Sequence, residues 1–541
     1  MNAKYGSIVC FCTELEKFYY SPIVTLMGYN NGDFLNMYTF IGNSNAWEGE
    51  APIPIEGSME FIKNSYKNII CMKKINQFDL SIVAERIDWQ QNSFYYAYSE
   101  KAFLSRRDAE GKLLLKFYVR NKYDQVFKCL WNNINSNDTY NIVDIQNNTS
   151  YYTVVHSGGT FDVGSYVTLQ NINPSDFQGT LKVISSGRNV ANVAFGESSS
   201  YFVSTEREYT SGGTIKSAVL STAEPIMESG TYDQNNVIRT SDGYKWKYLF
   251  TIDKGAKTKF FDENWFPVPV VEEFPNQILS TSKAGSIDVI NVVDGGSGYQ
   301  NGTNTVNITI TGDGNGAIAE AYVSNNKIEE IVVLNPGENY TRANVYITPA
   351  FNFSGAGAQV DFSISPIGGH GFSPIRDLYT RNIMISTPFF RDEEGRLPTD
   401  IKYNQVGVLY NPYLYSDLNN HANTTFINCM TDVLVSSEGG EYIVGETVYQ
   451  GFTYENSYFE GRIVNIDSIN NTIKLVGITG TPRENYELIG KESRATKIAQ
   501  QINPPLYVPF TGNVFYLENR VSIQRDPLGF EQLRILIKFS N

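Results

Sequence analysis

Three histidines, His156, His370 and His421, are the residues of this 541-residue chain most suited to acid–base or metal chemistry. None stands in His-Glu-x-x-His or another metal-ligand spacing. His370 lies in Gly368-Gly369-His370-Gly371-Phe372, a turn-like stretch that favours a structural role. The carboxylate clusters Asp392-Glu393-Glu394 and Glu272-Glu273 could serve a hydrolase only if two acids faced each other across a cleft roughly 5–10 Å wide. Adjacent acids are more often a solvated turn, and that is the reading taken for both clusters. Gly312-Asp313-Gly314-Asn315-Gly316 has glycines like a phosphate loop, but strand-like sequence flanks it where a helix N-terminus is needed. Asp313 and Asn315 supply only part of a calcium-loop ligand set, with no Glu at the twelfth position. No Gly-x-Ser-x-Gly elbow occurs. Triplets such as Asn148-Thr149-Ser150 carry no weight without a secretory signal. The expectation is no catalytic residue, no metal site and no cofactor.

Five cysteines, Cys10, Cys12, Cys71, Cys129 and Cys429, form an odd set without repeated spacing. This argues against a disulfide framework and suits a reducing compartment. Cys10 and Cys12 alternate in Ile8-Val9-Cys10-Phe11-Cys12 and read as small apolar residues of a strand. The apolar run after Lys4 is too short for a signal peptide, and no window of 18 uncharged apolar residues suggests a membrane span.

The elements around these residues are overwhelmingly strands. Tyr244, Trp246, Tyr248, Phe250 and Ile252 occupy alternate positions behind the Asp242-Gly243 turn, so they line one strand face. Lys245, Lys247 and Thr251 point the other way. Aromatics make up 13% of the chain, with 36 Tyr and 32 Phe, and 44 Gly supply turns. The net charge of −14 disfavours nucleic-acid and anionic-membrane surfaces. Residues 57–76 carry apolar residues at helical spacing, including Phe61, Ile62, Tyr66, Ile69 and Ile70. Strands are expected over 36–42, 79–89, 113–131 and 533–539.

Two internal echoes organise the rest. Ile287-x-x-Ile290-x-Val292, Gly295, Tyr299 and Gly314-x-Gly316-Ala317 recur at Ile328-x-x-Ile331-x-Val333, Gly337, Tyr340 and Gly355-x-Gly357-Ala358. The offset is close to 41 residues throughout, which marks a duplicated supersecondary unit. More loosely, Val163-Gly164-x-x-Val167 with Phe177-x-Gly179 resembles Val444-Gly445-x-x-Val448 with Phe459-x-Gly461. Both read as short-stranded, barrel-like modules. The fold class is therefore mainly β with minor α (α+β), a discontinuous core carrying inserted β-sandwich or barrel-like modules. The core parts are 1–135, 223–283, 366–435 and 501–541. The inserts are a β module at 136–222, the duplicated module at 284–365 and a small barrel-like module at 436–500. Loop insertions cost little closure entropy.

Five blocks, in order, resemble the baseplate wedge subunit of T-even-type contractile-tailed bacteriophages, the gene product eight family. They are Tyr38-Thr39-Phe40-Ile41-Gly42 with Trp47; Glu85-Arg86-Ile87-Asp88-Trp89 ahead of Tyr95-Tyr96; Asn121 to Leu130; Asp242-Gly243-Tyr244 to Tyr248; and Tyr516-Leu517-Glu518-Asn519-Arg520 with the strand ending near Phe539. Gly369 to Pro374 also looks like a turn common in phage tail proteins. With the core segments that carry them, the blocks cover about half the chain. The chain is much longer than the family's best-known member, and the excess falls in the three inserts. The resemblance implies a non-enzymatic virion building block, made in the host cytoplasm, that pairs with itself as a dimer and contacts other wedge subunits. It implies no nucleic acid, membrane or small-molecule partner. Tyr-rich modules leave two alternatives: a tail fibre or spike protein that binds host glycan, and a polysaccharide-degrading tail enzyme.

Overall fold

Alternating aromatic and β-branched residues dictate strands, and strands dominate the computed structural model, which is mainly β with minor α. It describes residues 36–44, 52, 54–55, 58–98, 113, 115–133, 139–148, 150–194, 207–228, 236–269, 282–366, 368–380, 382–391, 393, 396–525 and 531–538. Cys10, Cys12, Trp47, Thr149, Glu272, Glu273, Asp392, Glu394 and Phe539 lie outside them. Among the described residues no helix is long and apolar enough to cross a membrane.

The chain divides into two units, Met1–Leu80 with Ile383–Ile537, and Ser81–Asn382 with Lys538–Asn541. The expected core segments 1–135 and 366–435 are thus each shared between the units.

In the first unit, strand Met37–Gly42 lies between Ile69–Lys74 and Lys402–Tyr410, and the sheet continues to Phe426–Asn428 and Asn513–Gln524 at its edges. Tyr38, Phe40, Met72, Leu409 and Leu517 form its core. The helix expected over 57–76 is shorter, Met59–Lys67. Ser58 caps its start by accepting from the Phe61 N–H. Asn68 ends it, and Ile69 and Ile70 turn into the buried start of a strand, because sheet burial of these β-branched residues outweighs their helical spacing.

In the second unit, Lys245–Thr251 lies between Val237–Arg239 and Gln125–Trp131, with Tyr118–Arg120 beyond. Bulges at Lys245/Trp246 and Tyr248/Phe250 interrupt the pairing. Both faces are covered: Trp246 is fully buried, and so are Leu249 and Lys247 from the opposite side. Separately, Leu80–Glu85 pairs with Trp265–Val268.

Each unit carries a closed six-stranded barrel. The second unit's barrel uses Thr139–Asn147, Tyr152–His156, Tyr166–Gln170, Gly179–Gly187, Val190–Ala194 and Thr214–Ser217. The first unit's uses Thr431–Val435, Thr447–Gln450, Phe459–Asp467, Thr472–Gly480, Glu487–Gly490 and Thr496–Asn503, reaching slightly beyond 436–500. Superposing Tyr166–Gln170 on Thr447–Gln450 makes the two strand orders identical, with one change. The strand closing each barrel comes first in one (Thr139–Asn147) and last in the other (Thr496–Asn503). The barrels are circular permutations of one topology. In both, the entering and leaving strands are hydrogen-bonded neighbours, so either fits into a loop of its unit.

The 284–365 module explains its own repeat. Third and first strands pair across the copies, Asn315–Ser324 with Lys327–Glu338 and Ala356–Phe362 with Ile290–Ser297, while the middle strands Val306–Gly312 and Ala343–Pro349 pair together. Neither copy completes a sheet alone. A Cβ on Gly314 would sit 2.4 Å from the Tyr340 ring, and the Tyr299 ring lies over Gly355 in the same way. Each copy's Tyr therefore covers the other copy's Gly, and both rings belong to one shared core.

Candidate functional site

The places where the sequence departs most from an ordinary sandwich are the seams that fasten the modules to the sheets. The duplicated module is fastened by buried charge. Lys128 and Lys247 are direct partners on adjacent strands, and both are about 98–99% buried. Lys128 Nζ donates to Asp377 Oδ1 at 2.9 Å. Lys247 Nζ lies 3.4 Å from Asp288 Oδ1, which also accepts from Ser286 at 3.1 Å. The Ser286 N–H donates to Ser365 Oγ, which in turn donates to the Lys283 carbonyl, so the module's entrance and exit are tied together beside the lysines. A displaced register would strand a buried charge at a cost of several kcal/mol, so the pairs fix where the module's ends sit.

His370 belongs to this seam. Its Nδ1 is 3.3 Å from Lys128 Nζ and 3.3 Å from Asp377 Oδ1, and its ring meets Tyr98 edge-on at 4.6 Å. Burial, and then the Lys128 charge, push the imidazole pKa down, so it stays neutral. Nδ1 stands between the ammonium and the carboxylate, so it accepts from Lys128 in one neutral tautomer and donates to Asp377 in the other. Burial alone would raise the Asp377 pKa, but Lys128 and His370 hold it well below the usual carboxylate range. The Gly371 N–H adds a 2.7 Å bond to Asp377 Oδ2. The turn Gly368–Phe372 is thus a plug over Lys128.

The barrel of the second unit is seated on aromatics. Tyr166 stacks on Phe94 at 4.6 Å and meets Tyr96 edge-on. A cleft of about 510 Å3 lies beside them, with Lys116, Asp162, Ser165 and Lys182 in its wall. Asp242 organises the barrel's exit. Its Oδ2 accepts from the Thr222 and Ala223 N–H groups and from Ser221 Oγ, and its Oδ1 accepts from the Tyr244 N–H. Burial opposes the charge, but these bonds, with that of Thr240, hold its pKa below the ordinary value. Tyr244 OH donates to the Val219 carbonyl at 2.6 Å.

The barrel of the first unit is held by one guanidinium. Arg462 donates to Asn43 Oδ1 at 2.6 Å, to the Asn43 carbonyl and to Asn68 Oδ1 at 3.1 Å. It is 93% buried and its pKa is drawn down to about 10 by burial.

The remaining sequence candidates are scattered. His156 is buried in the second unit's barrel and its Nδ1 lies 2.6 Å from the Gly158 carbonyl, while His421 is on an exposed hairpin beside Tyr413. Asp313 accepts from the Thr341 and Arg342 N–H groups and clamps a turn of the repeat. Glu393 is not solvated as expected. It is 94% buried, bonded to Lys73 at 2.6 Å and to the Phe390 N–H at 2.8 Å. Cys71, Cys129 and Cys429 are free and buried, and burial raises their thiol pKa values. Among the described residues no group of three or more His, Cys, Asp or Glu could hold a metal ion. The buried charges escaped sequence reasoning because Lys128 and Asp377 are 249 positions apart. Only the placing of Lys247 on the strand face opposite the aromatics hinted at them.

No protein-family model matches the chain, and a search of curated proteins finds no match.

Proposed function

We propose that this protein is a structural subunit of the baseplate wedge of a contractile phage tail, contributing to baseplate assembly and to the rearrangement that triggers sheath contraction. The observation that carries the reading is where the five blocks of resemblance fall. Tyr38–Gly42, Glu85–Trp89, Asn121–Leu130, Asp242–Tyr248 and Tyr516–Arg520 lie outside the three modules, on the sheets and connections that hold them. The chain's extra length relative to the family lies in the modules. The frame offers sheet edges, and the modules it carries offer large exposed apolar side chains, such as Phe351, Phe452 and Ile469, for contacts with neighbouring subunits. Wedge partners and a self-paired dimer are part of the proposal, and no reaction is. Deleting the gene in the phage should yield particles without baseplates, and normal contractile tails in its absence would overturn the reading.

The cleft beside Phe94 and Tyr166 favours a second reading, a host-glycan-binding fibre or spike protein. That reading requires saccharide binding on a glycan array together with a stable trimer.

A further inference from the structure

The charge balance at Arg462 has a consequence beyond assembly. A guanidinium carries five N–H groups. Three are spent on Asn43 and Asn68, all neutral acceptors. Among the described residues no carboxylate lies within ion-pair distance of Arg462. Both buried lysines of the other unit, in contrast, have an aspartate. The C-terminal end of helix Met59–Lys67, at Asn68, offers only a partial negative charge. A cation buried without a counter-ion is costly, and this one lines a cleft of about 430 Å3 within the first unit.

The rest of the cleft is rich in donors. Lys67 reaches into it, with its Nζ 3.3 Å from Thr479 Oγ1. Asn64 and Thr447 add an amide and a hydroxyl. The one acid in the wall, Glu460, accepts from Ser457 at 2.9 Å and lies 3.5 Å from Tyr454 OH. We infer that the cleft at Arg462 binds a phosphate-type oxyanion, held by the unspent guanidinium N–H groups, the Lys67 ammonium and the surrounding amide and hydroxyl donors. Arg suits such an anion because its planar fork matches two oxygens at once. The site sits where barrel and sheet meet, so an anion there would tighten that seam.

The test uses the full chain. Thermal unfolding and titration calorimetry are followed with inorganic phosphate against sodium chloride of matched ionic strength, and in a parallel arm with glycerol 3-phosphate. Saturable one-site binding with a raised Tm is expected. The stronger of the two ligands tells whether the source is the free ion or a phosphoryl group on a larger molecule. R462Q should abolish the binding. K67M, which leaves the Arg462 bonds intact, should weaken it about tenfold, the scale of one lost charge-assisted contact. If R462Q does not fold, K67M alone decides. Absence of saturable binding by both probes, or affinity unchanged in the variants, would overturn the inference.

Discussion

The two barrels share one strand order, differ in where the chain enters, and are fastened by opposite chemistries. In the second unit, Tyr166 lies flat on Phe94, and Asp242 gathers the Thr222 and Ala223 N–H groups of the segment that leaves the barrel. In the first, Arg462 reaches from the barrel strand to Asn43 and Asn68. The pairing places these contacts in related positions: Tyr166 is opposite Lys182 in one barrel, and Thr447 is opposite Arg462 in the other. A barrel closes on its own inward-facing residues, so its core does not depend on what it sits on. The seam is free to vary, and it varies between stacked rings and a hydrogen-bonded cation.

The largest effect that would break this comparison comes from the third seam, the ionic one. Lys128→Met leaves Asp377 buried without its ammonium and should cost about 3–5 kcal/mol in equilibrium unfolding. The double variant K128M/D377L should recover most of that loss, because a buried pair replaced by apolar packing is often near neutral. Next, Phe94→Ala should cost about 3–5 kcal/mol if the site cannot collapse. Hydrogen exchange should then rise over 139–217 and stay unchanged over 431–503. Arg462→Met should show the reverse pattern with a smaller penalty, about 1–3 kcal/mol for the hydrogen bonds lost.

The smallest effect separates the seams by pH. Asp242 and Asp377 both titrate below the ordinary carboxylate value in the folded chain. The stability they contribute is present above the unfolded value, about pH 4, and is lost as pH falls through their depressed folded values. Arg462 has no acid partner among the described residues, so acid should loosen residues 219–223, 240–244 and 370–377 before the contacts at Asn43 and Asn68. Amide exchange between pH 6 and pH 3 checks this order.

Much of this architecture was legible, for identifiable reasons. The 41-residue repeat could be read because Tyr340 on Gly314 and Tyr299 on Gly355 each tolerate only a glycine beneath the ring. The barrels could be paired because Val167 and Val448 are buried on matching strands, and Phe177, in the turn just before Gly179–Gly187, is buried like Phe459 at the start of the matching strand. Their permutation was hidden, since Thr139–Asn147 and Thr496–Asn503 lie at opposite ends of their modules and share no obvious pattern. The division into two units was also hidden, because local sequence style is the same on both sides of Leu80 and Asn382. The seams were least visible. Buried Lys128, Lys247, Asp288, Asp377 and Glu393 look like surface residues in sequence, and only long-range pairing brings them together.

The most direct test of the proposed role is cryo-electron microscopy of phage particles carrying a tag on the exposed hairpin Asp417–His421. The account predicts label in the baseplate wedges around the tail hub. Label confined to fibre or spike tips, or missing from assembled particles, would contradict it.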